Sequence, residues 1–430
     1  MKVVCKFSRS KVVAGQPHEL DLLVRLLAPT QPSTDRRPGL CIVPVVDVSG
    51  SMAGDKLEAV RRALLRLFDH LVPGDRVALV AFDSTVRVLA PLVEVTAARR
   101  AELCRAAQSL RAGDTTNLAG GLLEALRLVR ASAPGPRARV ILLTDGNANA
   151  GPATSRDELV ALARSGSRGV AISAFGYGAD CEQVVLADMA DAGGGSYAYI
   201  KDEDAVLTAF ARELGGLLST YGGDVRLRIR PPDAAPIDVR LGDLLHGGEL
   251  ATCIGVTVPA HALAKSAEVC TVEARWQDAR GQENAVDVVA RLDFVPPGNE
   301  SPADDPEVAR ARDERILREA VESAERAARK HDLAAATAVL HQALAKITDP
   351  DLTTFLRATL LPSYEDSSAY AHQTALRAGS LQALKRKRRV AETPDLPDCL
   401  MVAATPAESE MEKSFRAPGS KKKRAKASLR

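Results

Sequence analysis

At 430 residues, 46% hydrophobic and 26% charged, the chain is long enough for two or three domains that each bury a core. A net charge of only +2 argues against a molecule that meets nucleic acid or membrane with its whole surface. No apolar run reaches the ~18 residues of a membrane-spanning helix, and the N-terminus turns charged again at Lys6, before a secretory apolar region can form. Seven cysteines (Cys5, Cys41, Cys104, Cys181, Cys253, Cys270, Cys399) include no C-x-x-C pair, which excludes zinc-ribbon and RING spacing. They read as reduced, mostly buried thiols, and the expected location is cytoplasmic.

The first thirty residues predict two strands, the second over 18–29 after a Gly15-Gln16-Pro17 turn. A polar stretch, 30–39, then separates them from a continuous apolar run at 41–46, as expected of a strand buried on both faces. Leu57, Val60, Leu64, Leu67, Phe68 and Leu71 follow at helical spacing, and Pro73-Gly74 ends that helix. Strands at 77–82 and 86–92 are close enough to form a hairpin. Helices at 97–110 and 118–131, a strand at 140–143, a helix at 156–164 and a strand at 170–175 continue the pattern. A helix at 182–191, a strand at 196–200 and a helix at 204–218 complete it. Such alternation predicts a doubly wound, mostly parallel α/β sheet with one antiparallel edge, and ligands in such sheets sit beyond the carboxyl ends of the strands.

After Gly222-Gly223 the period switches to two. Strands are predicted at 225–230, 237–241, 253–258, 269–276 and 286–294, five in number and enough for a sandwich only if the N-terminal pair joins them. The expected domains are therefore sandwich strands in 1–37, the α/β domain in 38–222 and the remainder of the β-sandwich in 223–296. A C-terminal helical hairpin is expected within a helical region, 306–390, before a disordered basic tail, 391–430. Apolar positions at Val308, Ile316, Ala320 and Ala327, then Leu333, Leu340, Leu344 and Ile347, mark the two helices.

Three short pieces carry the chemistry. Asp47-Val48-Ser49-Gly50-Ser51 ends the first sheet strand, Thr115-Thr116-Asn117 precedes a helix, and Thr144-Asp145-Gly146 ends a later strand. All three belong at one edge of a parallel sheet, and they supply small hard oxygen donors without sulfur or imidazole. Octahedral Mg²⁺ asks for such a set, with few protein ligands and water at the remaining positions. Ser49, Ser51 and Thr116 would ligate through hydroxyls, while Asp47 and Asp145 neutralise the ion, partly through water and hydrogen bonds to those hydroxyls. Because most direct ligands are neutral, the ion keeps positive character and favours an incoming carboxylate.

Asp47-x-Ser49-x-Ser51, Thr116 and Asp145 resemble the metal-ion-dependent adhesion site of von Willebrand factor A (vWA) domains. The text around them, 46–57 and 74–82, is similar to cytosolic vWA proteins of bacteria and plants. The resemblance covers 40–220 in strand and helix order and, more loosely, the flanking β-rich region and helical pair. It implies a Rossmann-like vWA fold, an intact site for Mg²⁺ (with Mn²⁺ or Ca²⁺ as alternatives) and a protein partner that offers an Asp or Glu carboxylate. The role implied is a scaffold or adaptor and not an enzyme. The family's Gly-Gly-Thr-Asn loop is Gly113-Asp114-Thr115-Thr116-Asn117 here, so Thr116 is preferred by its place before Asn117, with Thr115 as the alternative. Plant relatives often carry a RING finger. The cysteine spacing excludes one, so ubiquitin-ligase activity is not carried over.

Bland readings compete at each point. Ser49 and Ser51 could merely cap a helix, Gly193-Gly194-Gly195 is better read as a turn than as a phosphate loop, and His331 and His341 as helix-surface residues. Lone Trp276 fits a core or interface position of the sandwich. Rival classes are a metal-dependent hydrolase or phosphotransferase and a nucleic-acid-associated protein that uses its basic tail, where 385–389 and 421–424 are runs of Lys and Arg. The chain has no Walker or G-x-S-x-G motif, and Ser49 stands where a phosphotransferase usually has its second carboxylate. The three site loops contain no His or Lys to serve as general acid or base.

Overall fold

The computed structural model describes residues 1–30, 39–131, 138–146, 148–167, 170–178, 181–231, 233–262, 266–278, 281–328, 330–366 and 406–416. The α/β domain is built on six strands: β4 (Cys41–Asp47), β5 (Arg76–Phe82), β6 (Val86–Glu94), β7 (Ala138–Thr144), β8 (Ala171–Tyr177) and β9 (Gly194–Ile200). Their order across the sheet is β6-β5-β4-β7-β8-β9. All neighbours are parallel except the β5–β6 hairpin. Every residue of β4 and β7 is buried, as the apolar runs 41–46 and 140–143 within them require.

One face of the sheet is covered by α1 (Asp55–His70), α2 (Ala97–Gln108) and α6 (Glu203–Leu218). The other is covered by α3 (Leu118–Ala131), α4 (Arg156–Gly166) and α5 (Gln183–Gly193). Gly194, at φ 74°, terminates α5 in a left-handed conformation that costs glycine little. Gly195 packs so closely on Ile172 that a Cβ would stand 2.1 Å from its carbonyl oxygen. The glycine run thus serves a tight helix-to-strand turn.

The N-terminal segment forms three strands where two are expected: β1 (Lys2–Phe7), β2 (Lys11–Val13) and β3 (His18–Leu27). They pair with strands that follow the α/β domain: β10 (Thr220–Arg230), β11 (Ile237–Leu245), β12 (Glu249–Val258), β13 (Ala267–Gln277) and β14 (Glu283–Val295). One sheet runs β1-β3-β12 and the other β11-β10-β13-β14-β2. The ten-residue register of β3 against β12 and the parallel pairing of β2 with β14 make both sheets composites of the segments before and after the α/β domain. Between them lies a shared core that includes Leu22, Val24, Leu26, Leu227, Val272 and Phe294. Trp276 is half-buried at its margin, stacked on Tyr221.

Helix α7 (Pro306–Ala328) lies on the outer face of the smaller sheet, where Val308 and Ala311 meet Leu23 and Cys253. It pairs with α8 (Leu333–Leu344) and α9 (Pro350–Phe355) around Leu317, Val321, Leu340, Leu352 and Tyr364. The buried Asp313 carboxylate accepts hydrogen bonds from the Thr348 backbone and hydroxyl and from Asp349 N–H, at 2.7–2.9 Å. His341 is exposed on α8, whereas His331 sits in the α7–α8 turn with φ 61° and is not on a helix. Among the described residues no helix is long and apolar enough to cross a membrane.

Within the expected disordered tail, 391–430, the described residues 406–416 are helical, and the rest lies outside the described residues. Helix α10 (Pro406–Arg416) docks on α1 and α6, within a stretch whose composition reads as disordered. Met411 and Phe415, four residues apart, place two apolar side chains on one face. Phe415 is fully buried and stacks on His70 at 4.7 Å, while Arg212–Glu412 and Arg416–Thr208 contacts flank it. The basic runs 385–389 and 421–424 lie outside the described residues.

The sandwich is joined to the amino end of the parallel sheet. Arg139, in β7, reaches Glu213 of α6 at 2.9 Å and Asp243 of β11 at 2.6 Å, and all three side chains are at most 10% exposed. Ser173 also donates to Glu213 at 2.7 Å. Arg139→Met leaves two buried carboxylates without their cation, which should cost ~3–5 kcal/mol and lower the calorimetric unfolding midpoint; an unchanged midpoint would show that the triad is not structural. Phe415→Ser should free α10, so that limited proteolysis cuts within 406–416 while the sheet core stays resistant. Cleavage no faster than in the parent protein would mean that the helix is held by other contacts.

Candidate metal centre

The chain winds outward in both directions from β4: α1 leads to β5 on one side, and β7 lies on the other. The crevice at the carboxyl ends of β4 and β7 is therefore the switch point where such sheets bind ligands. Asp47 is the last residue of β4, and Asp145 follows the last residue of β7. Thr116 arrives from the loop before α3. Asp47, Ser49, Thr116 and Asp145 are buried and Ser51 is exposed, so the site is closed toward the core and open at one side.

The loops are fixed by backbone hydrogen bonds between them. Gly113 N–H donates to Val48 O at 2.6 Å, Gly50 N–H to Asp114 O at 3.0 Å, and Asn117 N–H to Asp83 O at 2.9 Å. Thr116 N–H donates to Asn149 Oδ1 at 2.8 Å, and Asn117 Oδ1 caps α3 by accepting Gly120 N–H at 2.9 Å. Gly113 permits the close approach of its loop, because a Cβ would stand 2.1 Å from Asp83 Oδ2.

Both carboxylates have each oxygen engaged. Asp47 Oδ1 accepts Ser49 N–H at 2.8 Å and Oδ2 accepts the Thr144 hydroxyl. Asp145 Oδ1 accepts the Ser51 hydroxyl at 2.7 Å and Oδ2 meets the Lys56 ammonium. Burial pushes the Asp47 carboxyl above its ordinary range; hydrogen bonds from Thr144 and Ser49 pull the other way, and the nearby Asp145 charge adds to the rise. A cation at this point relieves that strain.

The donor set fits a small divalent ion. Ser49 Oγ and Ser51 Oγ are 3.1 Å apart, close to the ~3.0 Å edge of an octahedron with ~2.1 Å metal–oxygen bonds. A Cβ on Gly146 would stand 3.3 Å from Thr116 Oγ1 and 3.9 Å from Ser51 Oγ. The missing side chain thus leaves open the space that these hydroxyls border. Among the described residues, no group of three or more His, Cys, Asp or Glu could hold a metal; any ion held here depends on the hydroxyls.

All five residues proposed from the sequence come together, and Thr116 is the buried one of the Thr115–Thr116 pair. Two further residues have roles that spacing did not assign. Thr144 anchors Asp47, although it belongs to the Thr144-Asp145-Gly146 motif. The three site loops contain no His or Lys, as read from the sequence, and Lys56 reaches Asp145 from outside them, in the first turn of α1.

Residues 42–213 match the family model for the von Willebrand factor type A domain, and this part of the chain is a vWA domain. Escherichia coli YfbK, described as an uncharacterized protein, is 28% identical over 211 residues, covering 48% of this chain and 36% of its own length. The Arabidopsis thaliana E3 ubiquitin-protein ligase WAV3 is 28% identical over 286 residues, covering 60% of this chain and 35% of its own. The chain thus spans about a third of the length of these two relatives. Among solved structures, a von Willebrand factor type A protein from Catenulispora acidiphila matches with a TM-score of 0.66 at 20% identity, over 91% of this chain and 97% of that one. This shows a shared fold. Domains of this family are generally non-catalytic modules of protein–protein interaction.

Gly146→Val tests the open space directly. The added side chain crowds Thr116 and Ser51, and overpacking of ~1–3 kcal/mol should weaken Mg²⁺ binding about tenfold or more in calorimetric titration while circular dichroism is unchanged. Undiminished affinity would mean that no ion occupies this space.

Proposed function

We propose that this protein is a Mg²⁺-dependent scaffold or adaptor whose vWA domain captures an acidic side chain of a protein partner. The observation that carries the reading is the pair of serine hydroxyls 3.1 Å apart, with Thr116 beside them and two carboxylates behind. Ser49, Ser51 and Thr116 would hold the ion, and Asp47 and Asp145 would balance part of its charge. The bound ion supplies Lewis acidity toward an oxygen anion; Mn²⁺ or Ca²⁺ could serve in its place. Neutral ligands leave the ion electrophilic, and the exposed side at Ser51 is where an Asp or Glu carboxylate can enter.

This reading is non-catalytic. The Lys56 ammonium is engaged by Asp145, so its contact here is that of a charge partner and not of a general base aimed at an open site. The sandwich and helical units would position the domain or widen its contact surface. A cytoplasmic setting belongs to the same proposal, because none of the six described cysteines is in a disulfide.

Calorimetric titration of Mg²⁺ should show binding to the parent protein, none to Asp47→Ala, and binding weakened roughly 10- to 100-fold for Thr116→Ala, where water can replace one hydroxyl. Asp47→Ala should keep the fold, because it also removes one of two neighbouring buried carboxylates. Capture of a protein partner from lysate should be lost with chelator and with Asp47→Ala. Equal Mg²⁺ affinity in all three proteins would overturn the assignment of the site.

A further inference from the structure

Lys56 is the one cationic side chain in contact with the candidate site among the contacts described. Its ammonium meets Asp145 Oδ2, the carboxylate whose other oxygen takes the Ser51 hydroxyl. The two partners differ in freedom: the Asp145 side chain is fully buried and Lys56 is 33% exposed. The ammonium also lies 5.7 Å from the centre of the Tyr177 ring, a second favourable surface within reach. A flexible four-carbon stem therefore carries a unit positive charge to the rim of a site whose other features suit a divalent cation.

The charges can be counted. Asp47 and Asp145 bring two negative charges and Lys56 one positive, so the site is negative by one. A divalent ion makes it positive by one, and a single carboxylate returns it to neutrality. Without Lys56 the loaded site would already be neutral, with no net charge left to attract an anion.

We propose that Lys56 is a built-in competitor of the metal, which lowers the affinity for the ion alone and reserves net positive charge for the acidic partner. This inference rests on the metal-dependent reading of the site. It makes metal loading and carboxylate capture reinforce one another, because each relieves an imbalance left by the other. Removing the ammonium should move the two affinities in opposite directions, which a purely structural ion pair would not do.

The experiment is a titration of MgCl₂ into the parent protein, Lys56→Met and Lys56→Arg, each in sodium chloride and in sodium acetate of equal ionic strength. Lys56→Met should bind Mg²⁺ about tenfold more tightly in chloride, and acetate should raise its affinity less than it raises that of the parent. Lys56→Arg keeps the charge and should stay near the parent in both media, which also guards against a folding defect in the methionine variant. Equal chloride affinities for the parent and Lys56→Met, with both folded, would overturn the role of Lys56 and leave the metal site standing. Absence of Mg²⁺ binding in all three proteins would overturn the metal site itself, and this inference with it.

Discussion

Two carboxylates, Asp47 and Asp145, are held out of water at the ends of adjacent buried strands, and the surrounding structure follows from that cost. A buried carboxylate is tolerated only with hydrogen-bond donors or a cation nearby. The donors here are Thr144, the Ser49 backbone, Ser51 and Lys56. They come from β7, the turn after β4 and the first turn of α1, so the elements must be in register before the charges are satisfied. The doubly wound topology supplies that register. It also starts α3 at the same edge, with Asn117 as its cap, and a helix N-terminus favours negative charge.

The opposite end of the same sheet shows a buried charge cluster that is closed. Arg139 lies between Glu213 and Asp243 and joins the vWA domain to the sandwich. Both chain connections of the vWA domain leave from this end: β4 begins at Cys41, paired with Ala138 beside it, and α6 returns to it before β10. His246 N–H donates to Ser219 O at 2.7 Å across the joint. The sandwich, built from the segments before and after the domain, thus grips it by its base, and among the described contacts the carboxyl edge with the candidate site stays clear of it.

Patterns that repeat along the chain were legible in the sequence. The apolar runs of β4 and β7, the helical spacing from Leu57 to Leu71 and the two-residue period after Gly223 locate the layers. Asp47, Ser49, Ser51, Thr116 and Asp145 are found because backbone geometry at strand ends fixes where short side chains can point. Features that depend on reach between elements were not legible. Lys56 lies nine residues after Asp47, yet its ammonium acts on a carboxylate 89 positions further along, and no local period encodes that contact. Strand β2 is too short for alternation to show, and only its pairing with β14 defines it. Helix α10 was hidden for another reason: averaging composition over a tail rich in Lys and Pro buries the local Met411–Phe415 pair.

The same hydrogen bonds bear on the choice between capture and turnover. A hydrolytic site needs an acceptor with a free lone pair placed to take a proton from metal-bound water. At this edge each of the four carboxylate oxygens already faces a donor, from Ser49, Thr144, Ser51 or Lys56. Each oxygen keeps a second lone pair, but protonating one would weaken a bond that orients a candidate ligating hydroxyl or secures its loop. An incoming carboxylate makes no such demand, since it needs only an electrophile and an open side. Under the proposed function, the geometry that holds two buried acids in place would serve a site that binds an anion and lets it go unchanged.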